Sequence, residues 1–141
     1  MKTFLKILKT IALTIIIGII ILLLIIKVKS LLNPGEVPSL FGYKAFIVLS
    51  GSMEDEINIG DIIISKEVPE NELGINDIIS FKSGKSITTH RIVLINDIDG
   101  TSWYTTKGDA NNTNDMNPVE YSNIEGKLVY VIPKIGKLLL K

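Results

Sequence analysis

The chain has 141 residues, and its 15 basic and 15 acidic residues leave a formal net charge of zero. The lack of a basic excess argues against nucleic acid as a partner. The lack of cysteine excludes disulfides, cysteine nucleophiles and thiolate metal sites, and the single histidine, His90, excludes a metal site built from several histidines of one chain. The length fits one domain with a small core in addition to an anchor segment.

The first feature along the chain is an apolar run long enough to cross a bilayer. Residues 11–26 carry no charge, and the run extends back to residue 7 with Lys9 as its interruption. At a rise of about 1.5 Å per residue, a helix over residues 7–26 spans roughly the 30 Å hydrocarbon core. The run is longer than the apolar part of a cleaved signal peptide, and no small-residue cleavage motif follows it. We therefore predict an uncleaved membrane anchor in residues 1–29.

The lysines around this run indicate its orientation. Lys2, Lys6 and Lys9 precede the span, whereas Lys27 and Lys29 follow it closely. The positive-inside rule then favours a cytoplasmic N-terminus. We expect a single-pass protein of the cell membrane with its C-terminal domain on the exported side.

The rest of the chain has the pattern of a β domain. Residues 30–40 contain NPGEVP, which predicts a linker. Short runs rich in Ile, Val, Thr and aromatic residues then alternate with turn signals, and no long stretch keeps a helical period. The pattern predicts a mainly β domain over residues 41–133, small, antiparallel and partly closed like a barrel, with a short amphipathic or disordered tail at residues 134–141. The predicted strands cover residues 44–49, 61–65, 77–82, 88–95, 102–107 and 127–132.

The sequence Ser50-Gly51-Ser52-Met53 directly follows the first predicted strand. A nucleophilic serine needs an exposed hydroxyl with backbone donors nearby, and a preceding glycine permits a sharp turn and a close approach of substrate. Ser50 lies two residues away, which in an extended segment puts its hydroxyl on the same side as that of Ser52. An ordinary turn is the alternative that this motif alone leaves open.

Two further motifs carry groups that transfer or stabilise protons. His90 lies inside a β-type run, and an imidazole titrates near working pH without any perturbation. Asp109 and Asp115 lie six residues apart in the later loop 107–115, and either aspartate could orient the imidazole. A structural histidine and turn-forming aspartates are the alternatives.

The same loop also resembles a calcium-binding sequence. Oxygen-bearing side chains fall at the first, third, fifth, seventh and twelfth positions of such a loop, but Asn114 occupies the sixth, which requires glycine. These side chains belong to Asp109, Asn111, Thr113, Asp115 and Glu120.

The order of the motifs resembles that of the type I signal peptidases over about residues 41–133. Within that family, the resemblance is to the branch of the endoplasmic reticulum, archaea and some spore-forming bacteria, because His90 stands where the commoner bacterial branch has a lysine. The series comprises the anchor, Ser50 to Met53, Gly60-Asp61, Gly74 to Phe81, Thr89-His90-Arg91 and Lys107-Gly108-Asp109 with Asp115 after it.

The resemblance implies a role for each matching residue. Ser52 matches the nucleophile, and Ser50 matches the residue whose hydroxyl joins the Ser52 backbone N–H in the oxyanion hole. His90 matches the general base. Asp115 and Asp109 match two family aspartates, and which of them orients His90 stays open, with Asp115 favoured. No cofactor and no metal are implied.

The resemblance also implies an activity and partners. The expected activity is that of a membrane-bound serine endopeptidase that cleaves N-terminal signal peptides from exported preproteins through an acyl-enzyme. The expected partners are those signal peptides, membrane lipid, and other membrane subunits or the secretion translocon. One residue departs from the family pattern, since Asp55 stands where relatives commonly have proline, which makes the loop after Ser52 more acidic and less rigid.

Two alternatives remain at this point. One is a self-cleaving peptidase like those of the repressor family, which has a similar β core but uses a serine and a lysine, usually beside a DNA-binding module. The other is an anchored, non-catalytic β domain that binds a partner or calcium.

Overall fold

A long helix, α1, forms the N-terminal part of the computed structural model, which describes residues 2–33 and 35–138. Helix α1 spans Lys2–Leu32, and its most apolar window has a mean hydropathy of 3.2 with none of it buried. The hydroxyls of Thr10 and Thr14 donate to carbonyl oxygens one turn back, so these two hydroxyls are satisfied within the helix. Helix α1 fits a membrane anchor, and it continues through Leu32, three residues into the predicted linker.

A second compact unit begins at Phe41, and its described residues, up to 138, form seven strands in one sheet. All strand pairs are antiparallel, and the order across the sheet is β1-β2-β7-β3-β4-β5-β6. The strands are β1 Tyr43–Ile47, β2 Ile62–Lys66, β3 Ile78–Ser83, β4 Ser86–Ile98, β5 Thr101–Lys107, β6 Val119–Glu120 and β7 Ile124–Ile132.

The prediction of a mainly β, antiparallel domain is confirmed, but the sheet is not closed. Strands β1 and β6 are its two edges in the described part of the chain. The six predicted strands are present, and the seventh, β6, has only two residues, too few to produce an alternating pattern. Strand β4 runs beyond its predicted end because it pairs with β5 as far as Ile98.

The sheet carries one apolar cluster on each of its faces, because successive side chains of a strand point to opposite sides. Ile79 and Ile78 are neighbours in β3 and belong to different clusters. The first cluster contains Leu73, Ile79, Phe81, Ile92, Tyr104 and Val119. The second contains Met53, Ile57, Ile63 and Ile78. Met53 follows Ser52 directly and Ile57 lies four residues further on, so the second cluster lies beneath the segment that carries the predicted nucleophile.

The first residues of the predicted tail pack on the domain. The Lys134 N–H donates to the buried carboxylate of Asp61 at 2.9 Å, and the 3₁₀ helix Ile135–Leu138 follows. Gly136 is buried, and a Cβ at that position would lie 2.8 Å from the Gly60 carbonyl oxygen. Residues 139–141, the rest of the predicted amphipathic or disordered tail, lie outside the described residues.

A buried carboxylate joins three strands of the sheet. The Glu125 side chain is 6% exposed, and it accepts hydrogen bonds from the ammonium groups of Lys44 and Lys82. Burial by itself would raise the pKa of Glu125, but the two lysines outweigh burial and hold that pKa below its ordinary value. A depressed carboxylate pKa stabilises the fold fully above the ordinary value of about 4.3, and this contribution disappears as the pH falls through the folded-state pKa.

Glu125→Gln should therefore lower the free energy of unfolding at neutral pH by roughly 2–3 kcal/mol. The difference from the wild type should shrink as the pH falls below about 4, where the wild-type carboxylate also loses its charge. Fluorescence of the single tryptophan, Trp103, during thermal unfolding in detergent measures both effects. Glu67→Gln is the matched control, because Glu67 also pairs with Lys44 but is 50% exposed. A difference that stays constant between neutral and acid pH would contradict the assignment.

Candidate active site

Ser52 lies in a tight turn, five residues after the end of β1. The turn is closed by hydrogen bonds from the Glu54 N–H to the Gly51 carbonyl oxygen and from the Ile57 N–H to the Met53 carbonyl oxygen. Met53 and Ile57 are 2% and 1% exposed and anchor the turn in the apolar cluster beneath it. Ser52 is therefore half-buried and held in place by its apolar neighbours in the sequence.

His90 contacts both Ser52 and Asp115. It extends from β4 and is 6% exposed. Its Nε2 lies 3.1 Å from Ser52 Oγ, and its Nδ1 lies 2.6 Å from Asp115 Oδ2. The edge of the ring packs against Phe81, with the two ring centroids 6.3 Å apart. Ser52 and His90 are 38 residues apart in sequence, and His90 and Asp115 are 25 residues apart, yet the three side chains form one continuous line of contacts.

Asp115 is held by the strand before it in the chain. Its N–H donates to the Thr106 carbonyl oxygen at 2.8 Å, and the Thr106 hydroxyl donates to Asp115 Oδ2 at 2.6 Å. A carboxylate only accepts hydrogen bonds, so its contact with Nδ1 requires the proton there. Nε2 of the neutral ring is then left as an acceptor for the Ser52 hydroxyl. The arrangement can take a proton from Ser52 and stabilise the resulting imidazolium.

Asp109 lies in the same loop but pairs with a different residue. Its carboxylate accepts two hydrogen bonds from Arg91, Nε to Oδ1 at 2.9 Å and Nη2 to Oδ2 at 2.6 Å. Arg91 also donates to the Asn76 carbonyl oxygen at 3.0 Å. The Asp109 N–H donates to Met53 Sδ at 3.3 Å. Asp109 thus connects its loop to Arg91, which is next to His90, and to Met53, which is next to Ser52.

Gly108 permits the closest approach within the site. A Cβ at this position would lie 2.5 Å from the Ser52 carbonyl oxygen and 2.9 Å from His90 Nε2, so any side chain would push the serine and the imidazole apart. The neighbouring Ala110 N–H donates to the same Ser52 carbonyl oxygen at 3.0 Å. Gly51 is less constrained than we expected, because its φ is ordinary and an added Cβ would meet only the movable side chain of Glu54.

An open cleft of about 580 Å³ begins at Ser52 and runs between β1 and the start of β4. Ser50 and Ser52 both line this cleft, and Ser50 is exposed. The other lining residues are mostly apolar, and they come from residues 45–49 on one side and 86–89 on the other, with Met53, Ile57 and Ile63. The shape and the lining suit an extended peptide with apolar side chains.

Asp55 adopts a backbone conformation that proline cannot adopt. Its φ is +78°, whereas the proline ring holds φ near −65°. Proline, which relatives commonly have at this position, would therefore require a different turn after Ser52. Glu54, Asp55 and Glu56 are all exposed, which agrees with the expectation of an acidic loop.

The described residues contain no group of three or more His, Asp or Glu side chains arranged to hold a metal ion. The two aspartates of the calcium-like sequence bind different partners, since Asp109 pairs with Arg91 and Asp115 with His90. Glu120 lies in β6 opposite Trp103. The carboxylates of the calcium-like loop thus do not converge on one point.

Two residues that touch the site, Thr106 and Gly108, were not predicted from the sequence to contribute to it. Thr106 is fully buried. Its position in a predicted strand, two residues after Tyr104, could have indicated that it shares the buried face of Tyr104, and a buried hydroxyl must find a hydrogen-bond partner. Gly108 was noted only as part of a motif. Its close approach to Ser52 and His90 follows from the tertiary structure, and no local pattern in the sequence indicates it.

Comparisons with known proteins agree with the resemblance described above. No protein-family model matches the chain. It is 37% identical over 124 residues to signal peptidase I W of Bacillus subtilis (strain 168), covering 86% of this chain and 65% of that protein. It is 29% identical over 104 residues to the signal peptidase complex catalytic subunit SEC11C of Homo sapiens and of Mus musculus, covering 67% of this chain.

The chain spans just under two thirds of the length of the Bacillus relative and about half, 54%, of the mammalian ones. These relatives do not favour the alternative of a non-catalytic binding domain, and none of them is described as a repressor. The chain is therefore a relative of the type I signal peptidases, as the order of its motifs predicted.

Proposed function

We propose that this chain is a membrane-anchored serine endopeptidase that removes signal peptides from exported preproteins. The observation that carries the proposal is the continuous line of contacts from Ser52 Oγ through His90 to Asp115, at 3.1 and 2.6 Å. The named relatives support it, because the Bacillus protein is a signal peptidase and the mammalian proteins are subunits of a signal peptidase complex.

In the proposed mechanism, His90 Nε2 accepts the Ser52 proton while Ser52 Oγ attacks the carbonyl carbon of the scissile bond. The Ser52 backbone N–H and the Ser50 hydroxyl donate hydrogen bonds to the resulting oxyanion. The imidazolium gives its proton to the leaving amine, and the C–N bond breaks to leave an acyl-enzyme. A water molecule, deprotonated by His90, then attacks the ester and releases the new carboxylate together with the regenerated Ser52 hydroxyl.

The substrate would enter the cleft as an extended strand. Strand β1 pairs on one side with β2 and is an edge of the sheet in the described residues, so its other side offers backbone groups to a peptide. The resemblance implies shallow pockets for small side chains at the first and third positions before the cut. Residues 45–49 and 86–89 would supply the walls of these pockets.

The finer localisation is also part of the proposal. Helix α1 would cross the cell membrane once, with the N-terminus in the cytoplasm and the β domain on the exported side, as the flanking lysines favour. Anchoring would hold the cleft close to the place where a translocated preprotein leaves the membrane, and this confinement raises the effective substrate concentration. Contact with the secretion translocon or other membrane subunits would act in the same direction.

The experiment that tests the proposal is the processing of a preprotein by the full chain in sealed inverted membrane vesicles. We expect a shortened product that begins directly after the signal peptide and is protected from added protease, because it lies inside the vesicle. Vesicles that contain the Ser52→Ala variant give the background. Translocation without any wild-type product, or an equal amount of product from both chains, would refute the proposal.

Ser50→Ala should lower kcat by about 10²–10³-fold, the usual effect of losing one oxyanion donor, and leave a measurable remainder. KM should change little, because the hydrogen bond forms only as the carbonyl oxygen gains charge. Ser50→Thr, which keeps the hydroxyl, should retain much more activity. The comparison is made on purified chains in detergent with a preprotein substrate. Equal activities of Ser50→Ala and the wild type would exclude Ser50 from the oxyanion hole.

A further inference from the structure

Thr106 is a buried polar side chain that the proposed mechanism does not use. It is 0% exposed, and its position in β5 opposite Ile92 of β4 places it on the face of the sheet that carries the apolar cluster with Tyr104. A hydroxyl in such apolar surroundings is costly unless it has a hydrogen-bond partner. The partner here is the Asp115 carboxylate, with 2.6 Å between Thr106 Oγ1 and Asp115 Oδ2. The hydroxyl is therefore directed at the candidate active site.

Thr106 and His90 contact the same atom of Asp115. Asp115 Oδ2 lies 2.6 Å from Thr106 Oγ1 and 2.6 Å from His90 Nδ1. An ionised carboxylate accepts hydrogen bonds and cannot donate them, so the hydroxyl donates here, as the ring nitrogen does. One donor comes from β5 and the other from β4. Two donors that reach one oxygen from two paired strands fix the rotation of the carboxylate about its Cβ–Cγ bond.

Asp115 depends on such a partner because it lies in the loop between β5 and β6 and not in a strand. Its side chain is 25% exposed, so water competes for the carboxylate oxygens. The Asp115 N–H donates to the Thr106 carbonyl oxygen at 2.8 Å, and this bond brings the residue close to His90. A backbone bond does not restrain the side-chain torsions, however. The Thr106 hydroxyl is the contact that selects one orientation of the carboxylate.

We propose that Thr106 is a positioning residue, whose hydroxyl holds the Asp115 carboxylate in the orientation that keeps the His90 proton on Nδ1. An imidazole in this tautomer offers Nε2 as the acceptor for the Ser52 hydroxyl. Without the Thr106 hydroxyl, the carboxylate turns toward water, and the ring also populates the tautomer that carries its proton on Nε2. The expected effect on catalysis rests on the proposed function, whereas the tautomer of the imidazole can be measured without any substrate.

Thr106→Val removes the hydroxyl and keeps the branched shape of the side chain. We expect this variant to lower kcat for preprotein cleavage by about 10–100-fold, because a group behind the reacting atoms is misplaced. KM should change little, because other residues line the cleft. Thr106→Ser restores the hydroxyl and should recover most of the lost activity. Thr105→Val is the matched control, since it makes the same chemical change in the same strand on the opposite side of the sheet.

Imidazole NMR of the full chain in detergent micelles gives a readout that a purely structural role would not change. His90 is the single histidine, so its ring signals are identified directly. At mildly alkaline pH, the nitrogen chemical shifts of the wild type should show a protonated Nδ1, with a proton signal protected from exchange with water. Thr106→Val should shift the ring toward a mixture of tautomers and broaden that signal. Thr106→Ser and Thr105→Val should keep the wild-type spectrum.

A measurement on the wild type keeps the proposal testable even if Thr106→Val does not fold. The Thr106 hydroxyl proton should give a nuclear Overhauser effect to the His90 Nδ1 proton, because both protons point at one oxygen. A hydroxyl proton that exchanges freely with water, without this effect, would overturn the proposal. An unchanged tautomer in a folded Thr106→Val variant would also overturn it. If the wild type cleaved no preprotein but Thr106→Val changed the tautomer, the proposed function would fail and the positioning role of Thr106 would stand.

Discussion

Ser52→Ala should lower kcat for preprotein cleavage by about 10⁶-fold, which in a vesicle assay is a complete loss of product. The physical reason is that no other group can replace the nucleophile. Without Ser52 Oγ, His90 has no hydroxyl to deprotonate, and what remains is the electrostatic assistance of the oxyanion donors to an attacking water. Substrate binding should persist, since most of the cleft lining, including residues 45–49 and 86–89, is unchanged in this variant.

The measurement is the rate of product formation by purified chains in detergent, together with binding of a preprotein to the inactive variant. Ser122→Ala is a suitable control, because Ser122 is an exposed serine in the turn before β7. It should match the wild type in rate and in thermal unfolding. If Ser52→Ala kept even a hundredth of the wild-type rate, a nucleophile other than Ser52 would have to be sought.

Asp115→Asn should lower kcat by about 10⁴-fold without unfolding the domain. An asparagine amide in this position can donate a hydrogen bond to Nδ1, which would turn the ring into the tautomer whose Nε2 carries the proton. Nε2 could then no longer accept the Ser52 proton. The Thr106 hydroxyl contacts the same oxygen as Nδ1, Asp115 Oδ2, so it would rotate to accept a hydrogen bond from the second N–H of that amide nitrogen. The backbone N–H of residue 115 would still donate to the Thr106 carbonyl oxygen, so the loop should keep its shape. KM should change little, because Asp115 lies behind the imidazole, away from the cleft.

Asp109→Asn is the informative comparison, because both variants neutralise an aspartate of the same loop. Asp109 reaches the site through Arg91, and neutralising it weakens a bidentate ion pair that is partly exposed. Its effect should be a displacement of the loop, with a loss of roughly 10²-fold. Activities of Asp109→Asn and Asp115→Asn, measured beside their unfolding temperatures, separate the two roles. A much larger kcat loss in Asp109→Asn would show that Asp109 orients the imidazole.

Much of the fold could be predicted because it depends on local patterns. Within a bilayer, a single uncharged run such as residues 11–26 can satisfy its backbone only as a helix, and that helix extends to Leu32, since no proline occurs before residue 34. The six longer strands were predicted because runs rich in β-branched residues alternate along the chain with turn signals. The two-residue β6 was not, because it exists only through its pairing with Trp103 and Tyr104 of β5.

The candidate site was predicted residue by residue through the order of the motifs. Two of the aspartates in those motifs, Asp61 and Asp77, make contacts that stabilise turns of the fold and do not touch the candidate site. Asp61 accepts hydrogen bonds from the backbone of Asn58 and Lys134, and Asp77 accepts one from the Gly74 N–H while it pairs with Lys127. Such aspartates close turns between strands, so a motif does not by itself distinguish a residue that performs chemistry from one that shapes the scaffold.

The sequence by itself determined which chemistry is available to this protein. With no cysteine and one histidine, His90 is the one imidazole or thiol side chain that could act as a base, and the apolar run predicted a membrane anchor. Only the tertiary structure decided which aspartate contacts that histidine. Asp109 and Asp115 lie in the same loop, but His90 and Arg91 are neighbours in β4 whose side chains point to opposite sides of the sheet, so each pairs with a different carboxylate. The close approach at Gly108 likewise arises because the loop after β5 packs on the distant serine turn, and no local pattern contains that contact.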